Sequence, residues 1–488
     1  MSNTNVSTLF NHTAFYTLGR VIVILSGFIS FPILTRALEV KDYGRMALIN
    51  ATLVYLIAFS KSGFPAALVR FFKQEEDQKD GENTTFYNTF FIATVGHSIV
   101  VTLVYLATVL LLRKDLDSSF VTLLVLTSTL ILVRSLVALI YGVLRSKGQV
   151  IKYNLLEIVI KYGSLALGIL LLVYFKMGLY GYFLGVVVFE VGVTAIVAAA
   201  YWIKGSIDFG SFDRNLYRNV WIYGRALVGF EIASVLLDSA DKYMIAFLKS
   251  EYEVGIYAVG YALATYTQML IASPITLAIV PIYVRLWHEE KLDDLRTFLA
   301  RSLRYYVLVA IPIIFGAVAI KTEAISVLAT DKYLESSLIF PVALGGALFL
   351  GAHNITAAGL YVSKNIGGLF RISIYTLIIN IVLNYILIQK IGILGAAVAT
   401  LIAYMAMFVM VTKAAFKKLA FQINIMDIVT ATGIGIVLYL AVHSIQLDTN
   451  LHTLLSRLVL GTLLFSVMII AVEPELRKML ARLWHTRK

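Results

Sequence analysis

Five basic residues within apolar stretches long enough to cross a bilayer call for explanation: Arg20, Lys61, Arg134, Lys161 and Arg225. Two of them repeat a local pattern. Gly19-Arg20 in TLGRVIVILSGF and Gly224-Arg225 in IYGRALVGFEIA each lie a few residues into the first membrane-length segment of one half of the chain. A guanidinium keeps its proton, and one placed at the centre of a bilayer costs about 2.5–3.5 kcal/mol on insertion scales. Cations at matching places suit an anionic ligand. The guanidinium fork can pair two oxygens of a carboxylate or phosphate at once. Arg134 and Lys161 are further candidates for such a site. Acids at Glu190, Glu231 and Asp238 carry the complementary signal: a carboxylate inside the membrane can take up a proton or hold a cation, as an ion-coupled carrier requires.

Each of these residues also has a structural reading. Arg20 lies about 12 Å into its helix and Arg225 about 9 Å, so either could snorkel to the near interface along its aliphatic stem. Lys61, three residues from the end of its segment, is expected to snorkel. Lys161 follows Glu157 by four residues on one helical face, and a structural pair within the helix is expected there. Arg134 is near mid-depth and cannot snorkel easily, and Glu190 is its candidate partner. Glu231 follows Arg225 by six residues, which puts the two on nearly opposite faces. It is either a coupling site or the partner of a residue on another helix. Asn380 and Asn384 share a face at i, i+4, where they either hydrogen-bond between helices or meet sugar hydroxyls. Tyr16, Tyr223 and Tyr257 offer ring faces for stacking on sugars, and the competing reading is the interfacial tyrosine belt.

The elements that must position these side chains are membrane helices. The chain has 488 residues, 59% of them hydrophobic and 14% charged, with a mean hydropathy of +0.84. Soluble domains carry nearer a quarter charged residues. Apolar windows predict fourteen helices, at 12–35, 44–64, 84–112, 119–144, 153–175, 179–203, 219–241, 254–284, 302–320, 336–362, 369–389, 392–412, 425–445 and 453–472. Each is about long enough for a hydrocarbon core of ~30 Å. The fold class expected is therefore all-α and polytopic. Met1–Asn11 is polar without a basic start, so no cleavable signal peptide is expected. Placing the N-terminus inside puts most loop Lys and Arg on the cytoplasmic side, with both termini there. The formal charge of +12 then belongs to cytoplasmic loops and does not imply nucleic acid. Proline at 32, 65, 274, 312 and 341 marks candidate bend points.

Internal similarity divides the chain. RSKGQ at 145–149 lies opposite VSKNI at 362–366, and FKMGLYG at 175–181 opposite QKIGILG at 389–395. The arrangement expected is a six-helix bundle in 1–205, a second in 206–418 related to it by a pseudo-two-fold axis, and two added helices with a basic tail in 419–488. The chain lacks cysteine, which excludes thiolate metal sites and cysteine nucleophiles. It also lacks the G-x-x-x-x-G-K-[ST] loop, H-E-x-x-H and G-x-S-x-G, so no ATPase, zinc-protease or serine-hydrolase chemistry is expected, and no metal.

The stretch from Gly19-Arg20 through Thr35-Arg36-Ala37-Leu38, Asp42-Tyr43-Gly44 and Gly63 to Arg70 resembles the opening of one exporter branch. That branch is the polysaccharide transporters of the multidrug/oligosaccharidyl-lipid/polysaccharide exporter superfamily. LDSADKYMIAFLKSEYEVGIYAVGYALA is similar to the family's seventh-to-eighth-helix region, and Lys61 departs from its pattern. The resemblance implies a non-enzymatic flippase for an undecaprenyl-diphosphate-linked oligosaccharide, such as an O-antigen unit. It would work by alternating access in the bacterial inner membrane, without a cofactor but with coupling to H+ or Na+. Membrane lipids, a glycan polymerase and chain-length proteins are the partners implied. The alternatives are a cation or drug antiporter of the same superfamily and, behind it, a membrane polymerase or ligase of the same pathway.

Overall fold

In the computed structural model, residues 3–76, 84–203, 211–475 and 477–478 are described. Within them the chain is helical throughout. The first eight helices are α1 (Asn3–Ala37), α2 (Val40–Lys61), α3 (Phe64–Glu76), α4 (Thr84–Leu112), α5 (Ser118–Ser146), α6 (Val150–Ile169), α7 (Gly178–Ile203) and α8 (Arg214–Leu248). There follow α9 (Glu251–His288), α10 (Leu292–Ala329), α11 (Ile339–Thr356), α12 (Ala358–Val362), α13 (Ile366–Ile391), α14 (Ile393–Phe416), α15 (Ile425–His443) and α16 (Asn450–Val472). Among the described residues, twelve helices are long and apolar enough to cross a membrane. The first and seventh predicted spans correspond to α1, with its apolar part Val21–Ala37, and α8. The protein is thus a polytopic α-helical membrane protein.

Polar residues stop and start these helices where the apolar pattern does. Asp117 caps α5 by accepting from the Ser119 N–H at 3.2 Å, and Thr449 caps α16 by accepting from His452 at 3.2 Å. Such caps satisfy backbone donors that have no partner within the helix. Several boundaries differ from expectation, among them a predicted span 336–362 that divides into α11 and α12. The second span breaks at Ser62 and Gly63, both in the left-handed region (φ 48° and 71°), and resumes as α3. A π-helical turn at Leu170–Tyr174 closes the fifth span. α10 extends well beyond 302–320 at both ends, since amphipathic sequence continues a helix past its apolar core. Pro65 and Pro341 lie in the first turn of their helices, where a missing N–H costs nothing, so they are not bends. Pro32 and Pro312 do lie inside helices.

Two of the sequence matches fold into the same turns. Gly178 and Gly392, paired by FKMGLYG and QKIGILG, have φ of 61° and 64°. After α5, Gly148 N–H donates to Arg145 O and Gln149 N–H to Leu144 O. After α12, Lys364 donates to Tyr361 O and Asn365 to Leu360 O. Both pairs form the Schellman pattern that ends a helix. The left-handed residues are Gly148 and Lys364, so the structural match is one residue out of register with the match in letters.

Residues group into two compact units, Met1–Tyr243 and Met244–Lys488, with the division inside α8. In the first, α5 is central: α2, α3, α4, α6 and α7 pack on it, and α1 packs on α6. Ser60, Ser98 and Ser135 join α2, α4 and α5 by hydroxyl contacts of 2.6 and 2.8 Å. In the second, α11 packs against α9, α10 and α14, while α15 and α16 pack on α10. Arg457 fixes the last pair. Its side chain is 2% exposed, pairs with Glu323 at 3.0 Å, and donates to the carbonyls of Ala319, His443 and Ile445. Arg457 stands in the second turn of α16, within the predicted span 453–472.

Candidate functional site

The first unit contains a half-open cavity of about 450 Å³ between α1, α2, α5, α6 and α7. Its charged lining comes from three helices: Arg134 of α5, Glu157 and Lys161 of α6, and Glu190 of α7. Asn50, Ser164, Tyr141 and Tyr182 add neutral polar groups. Arg134 donates from Nε to Glu190 Oε2 and from Nη2 to Glu190 Oε1, both at 2.8 Å. This two-pronged pair uses one edge of the guanidinium, holds its plane fixed and leaves Nη1 outside the pair. The partnership between mid-depth Arg134 and Glu190 is the one the sequence suggests.

Lys161 is arranged differently from expectation. It shares the cavity with Glu157 one turn away but forms no salt bridge among the described residues, so the pair expected within the helix is absent. The physical reason is its company. Lys161 lies within electrostatic reach of Arg134 and Glu190 as well as Glu157, and its side chain extends into the open cavity. The four charges sum to zero, yet they are not equivalent. Glu190, 4% exposed, is fully engaged by Arg134, while Lys161 is exposed to the cavity.

A second polar region joins α2, α3, α4 and α8. Lys61 Nζ lies 2.5 Å from Glu231 Oε1, so Lys61 is paired across helices and does not snorkel. Glu231 accordingly has its partner on another helix, the structural alternative for that residue. The adjoining turn is tight. A Cβ on Gly224 would collide with the Ser62 carbonyl oxygen, and a Cβ on Gly63 would meet Gly224 Cα at 2.8 Å. Glycine in the Gly224-Arg225 pair therefore serves a backbone contact within the unit. His97, unremarked in the sequence reading, bridges the same elements. Ser62 Oγ gives its proton to Phe59 O, so His97 Nδ1–H donates to Ser62 Oγ at 2.8 Å and Nε2 accepts from Tyr217 O–H at 3.0 Å. A lone histidine in the apolar run TVGHSIV was the available signal.

The other candidates scatter. The side chains of Tyr16 and Arg20 lie outside the described residues. Arg225 is exposed and forms no ion pair among the described residues. Tyr223 packs edge-on against Phe71 and lies under the Arg70 guanidinium at 4.5 Å. Asp238 is exposed, and its carbonyl accepts from Lys242 Nζ at 3.3 Å. Three sugar-contact candidates are withdrawn from any accessible surface. Tyr257 is 0% exposed and stacked on Tyr261, and Asn380 and Asn384 are also fully buried. Asn380 donates to Thr400 of α14 at 3.2 Å and Asn384 to Asn380 Oδ1 at 3.0 Å, so both amides serve helix packing. Near-perfect burial follows from small neighbours on α14, where Ala396, Ala397, Ala399 and Ala403 let α13 approach closely.

At the other end of α2, Arg45 reaches from the first turns to Asp117 at 2.7 Å. That guanidinium, with the Ser119 N–H, holds the Asp117 carboxyl below its ordinary value of 3.8.

Comparison with known proteins places this architecture. A probable low-salt glycan biosynthesis flippase of Haloferax volcanii, Agl15, is 22% identical over 187 residues, covering 38% of this chain and 39% of that protein. An uncharacterized membrane protein of Methanocaldococcus jannaschii is 25% identical over 205 residues, 41% of this chain and 39% of the relative. The chain therefore spans about two-fifths of the length of these curated relatives. Among solved structures, the lipid II flippase MurJ in an inward closed conformation superposes with a TM-score of 0.77 at 14% identity, covering 94% of this chain and 99% of that one. An inward-facing multidrug resistance MATE family transporter of the MOP superfamily gives 0.65 at 13% identity, covering 82% and 94%. These likenesses establish the fold. The family described as Polysaccharide biosynthesis protein matches residues 9–287, more than half of the 488, and the chain belongs to that family, as the resemblance carried by Gly19 through Arg70 implies.

Proposed function

We propose that this protein is a flippase that carries an undecaprenyl-diphosphate-linked oligosaccharide from the cytoplasmic to the outer leaflet by alternating access. The observation that carries the reading is the charged cavity inside the membrane-spanning part of the first unit. A half-open polar space within membrane-length helices, holding Arg134 and Lys161 beside Glu157 and Glu190, suits an anionic head group whose hydrocarbon remains in the bilayer. Arg134 Nη1 and Lys161 Nζ take phosphate oxygens, while Glu190 keeps the guanidinium oriented. Arg20 and Arg225 form the entry-side cations, in helices that start from the cytoplasm. Bundles 1–205 and 206–418 supply the two rocking bodies, and 419–488 an accessory pair. Glu190, Glu231 and Asp238 are the acids available for coupling to H+ or Na+. A glycan polymerase and chain-length proteins take over the product. Agl15 and MurJ, both flippases by name, support the class of cargo.

One observation favours the competing cation or drug antiporter: two acids balance the two cations of the cavity. Complementation separates the readings. In strains lacking individual flippases of known repeat unit, this protein should restore surface glycan in at least one background. Arg20→Ala with Arg225→Ala, and separately Lys161→Gln, should abolish that rescue at normal protein levels. Extrusion of a cationic dye without rescue of any glycan would overturn the flippase reading. Full rescue by Lys161→Gln would remove Lys161 from the site.

A further inference from the structure

The first unit carries a second concavity with different chemistry. It is an apolar groove whose floor is one stripe of α5, Leu136, Leu139, Ile140 and Val143, with α3 and α4 on one flank and α7 on the other. Its polar residues gather at one end. Tyr87 is in the first turn of α4, Lys147 directly follows α5, and Tyr201 is two residues from the end of α7. The Lys147 ammonium lies over the Tyr87 ring at 5.0 Å. α5 and α7 run in the same direction and α4 starts where they end, so all three residues stand at the same membrane face.

We infer that this groove holds one acyl chain of an anionic phospholipid, with the phosphate head group at Lys147. Three observations favour that occupant. From Leu136 to Lys147 the stripe rises about 16 Å, at 1.5 Å per residue. That is about half of a ~30 Å hydrocarbon core, the depth of a single leaflet. A polyprenyl chain is far longer than such a groove, whereas an acyl chain of the same leaflet ends with it. The mouth carries one cation, Lys147, and the connection it belongs to also holds Arg145 and Lys152, a basic run that the positive-inside rule assigns to the cytoplasmic side, where anionic lipids attract such clusters. Two tyrosines flank the cation, as at membrane–water interfaces generally, and give the head group hydroxyl partners. The site is distinct from the charged cavity, so the inference stands whether or not the flippase reading does.

Native mass spectrometry tests it on the full chain. The protein is extracted in mild detergent, delipidated, and exposed to equimolar phosphatidylglycerol and phosphatidylethanolamine. The wild type should retain one phosphatidylglycerol in preference. Lys147→Gln should lower phosphatidylglycerol occupancy about fivefold, the effect of one basic residue at a membrane surface. Ala198→Trp, which fills the α7 wall, should remove both lipids. Lys147 follows the last turn of α5 and closes it through its backbone N–H, which Lys147→Gln keeps, so the test stays decisive if Ala198→Trp fails to fold. Equal retention of the two lipids by the wild type, or unchanged occupancy in Lys147→Gln, would overturn the inference. Recovery of a polyprenyl phosphate displaced by Ala198→Trp would overturn it in favour of the carrier lipid.

Discussion

Breaking the Arg134–Glu190 pair should destabilise the protein asymmetrically, and removing both members should not. The Glu190 side chain is 6% exposed and that of Arg134 31%. Loss of one partner from a buried pair typically costs about 3–5 kcal/mol, because the remaining charge stays desolvated. In Glu190→Gln the orphan is Arg134, which keeps contact with the cavity, so the lower end, about 3 kcal/mol, applies. In Arg134→Met the orphan is the almost inaccessible Glu190 carboxylate, and the loss should approach about 5 kcal/mol. The double change Arg134→Met with Glu190→Leu replaces the pair by apolar packing and should return to within about 1 kcal/mol of the wild type. The cycle therefore has a coupling energy of several kcal/mol. Thermal unfolding of the four proteins in one detergent measures stability, and surface glycan in a complemented strain measures transport. The double variant should be stable but inactive. Two single variants whose losses simply add in the double would refute the pair as a structural unit. A stable double variant with full transport would refute its role in the cavity.

Three further outcomes follow from the geometry. Gly224→Ala drives a methyl into the Ser62 carbonyl, so it should cost about 1–3 kcal/mol as an overpacking change, seen as a lowered unfolding midpoint, whereas Gly433→Ala, with open space around its Cβ, should not. Arg457→Met leaves Glu323 and three carbonyls without their donor. It should loosen α15 and α16 by about 3–5 kcal/mol, detected as faster hydrogen exchange there than in α11. The Asp117 carboxyl is held below 3.8 chiefly by Arg45, so its contribution is fully present above that pH and lost as pH falls through the lower folded value. Asp117→Asn should flatten the acid limb of the unfolding midpoint measured across that window, and an unchanged limb would exclude the interaction as its source.

Hydropathy alone places nearly every helix, because the bilayer demands continuous apolar length and internal backbone hydrogen bonds. The α4 boundaries at 84 and 112 are those of the apolar window itself. Less legible was what interrupts a span. The Ser62–Gly63 break depends on two left-handed residues and on a glycine of α8 more than 160 positions away. For the charges, sequence depth suggested Arg134 with Glu190, since both are near mid-membrane and of opposite sign. It could not give Lys61 with Glu231, because helix neighbours are set by packing and not by order along the chain. Asn380 and Asn384 were correctly placed on one face, but which helix that face meets was decided by the alanines of α14.

The guanidinium of Arg457 shows what a membrane charge count leaves out. A cation each of whose nitrogens is engaged by a carbonyl or a carboxylate is chemically silent toward cargo, however deeply it is buried. Two sequences with identical arginine content could therefore differ entirely in how much they can bind. The informative quantity for this protein, and for any attempt to redirect its cargo, is the number of hydrogen-bond donors that folding leaves unassigned. Among the described cations of the membrane-length helices, Lys161, Arg225 and one nitrogen of Arg134 keep such donors, and redesign of specificity should begin at them.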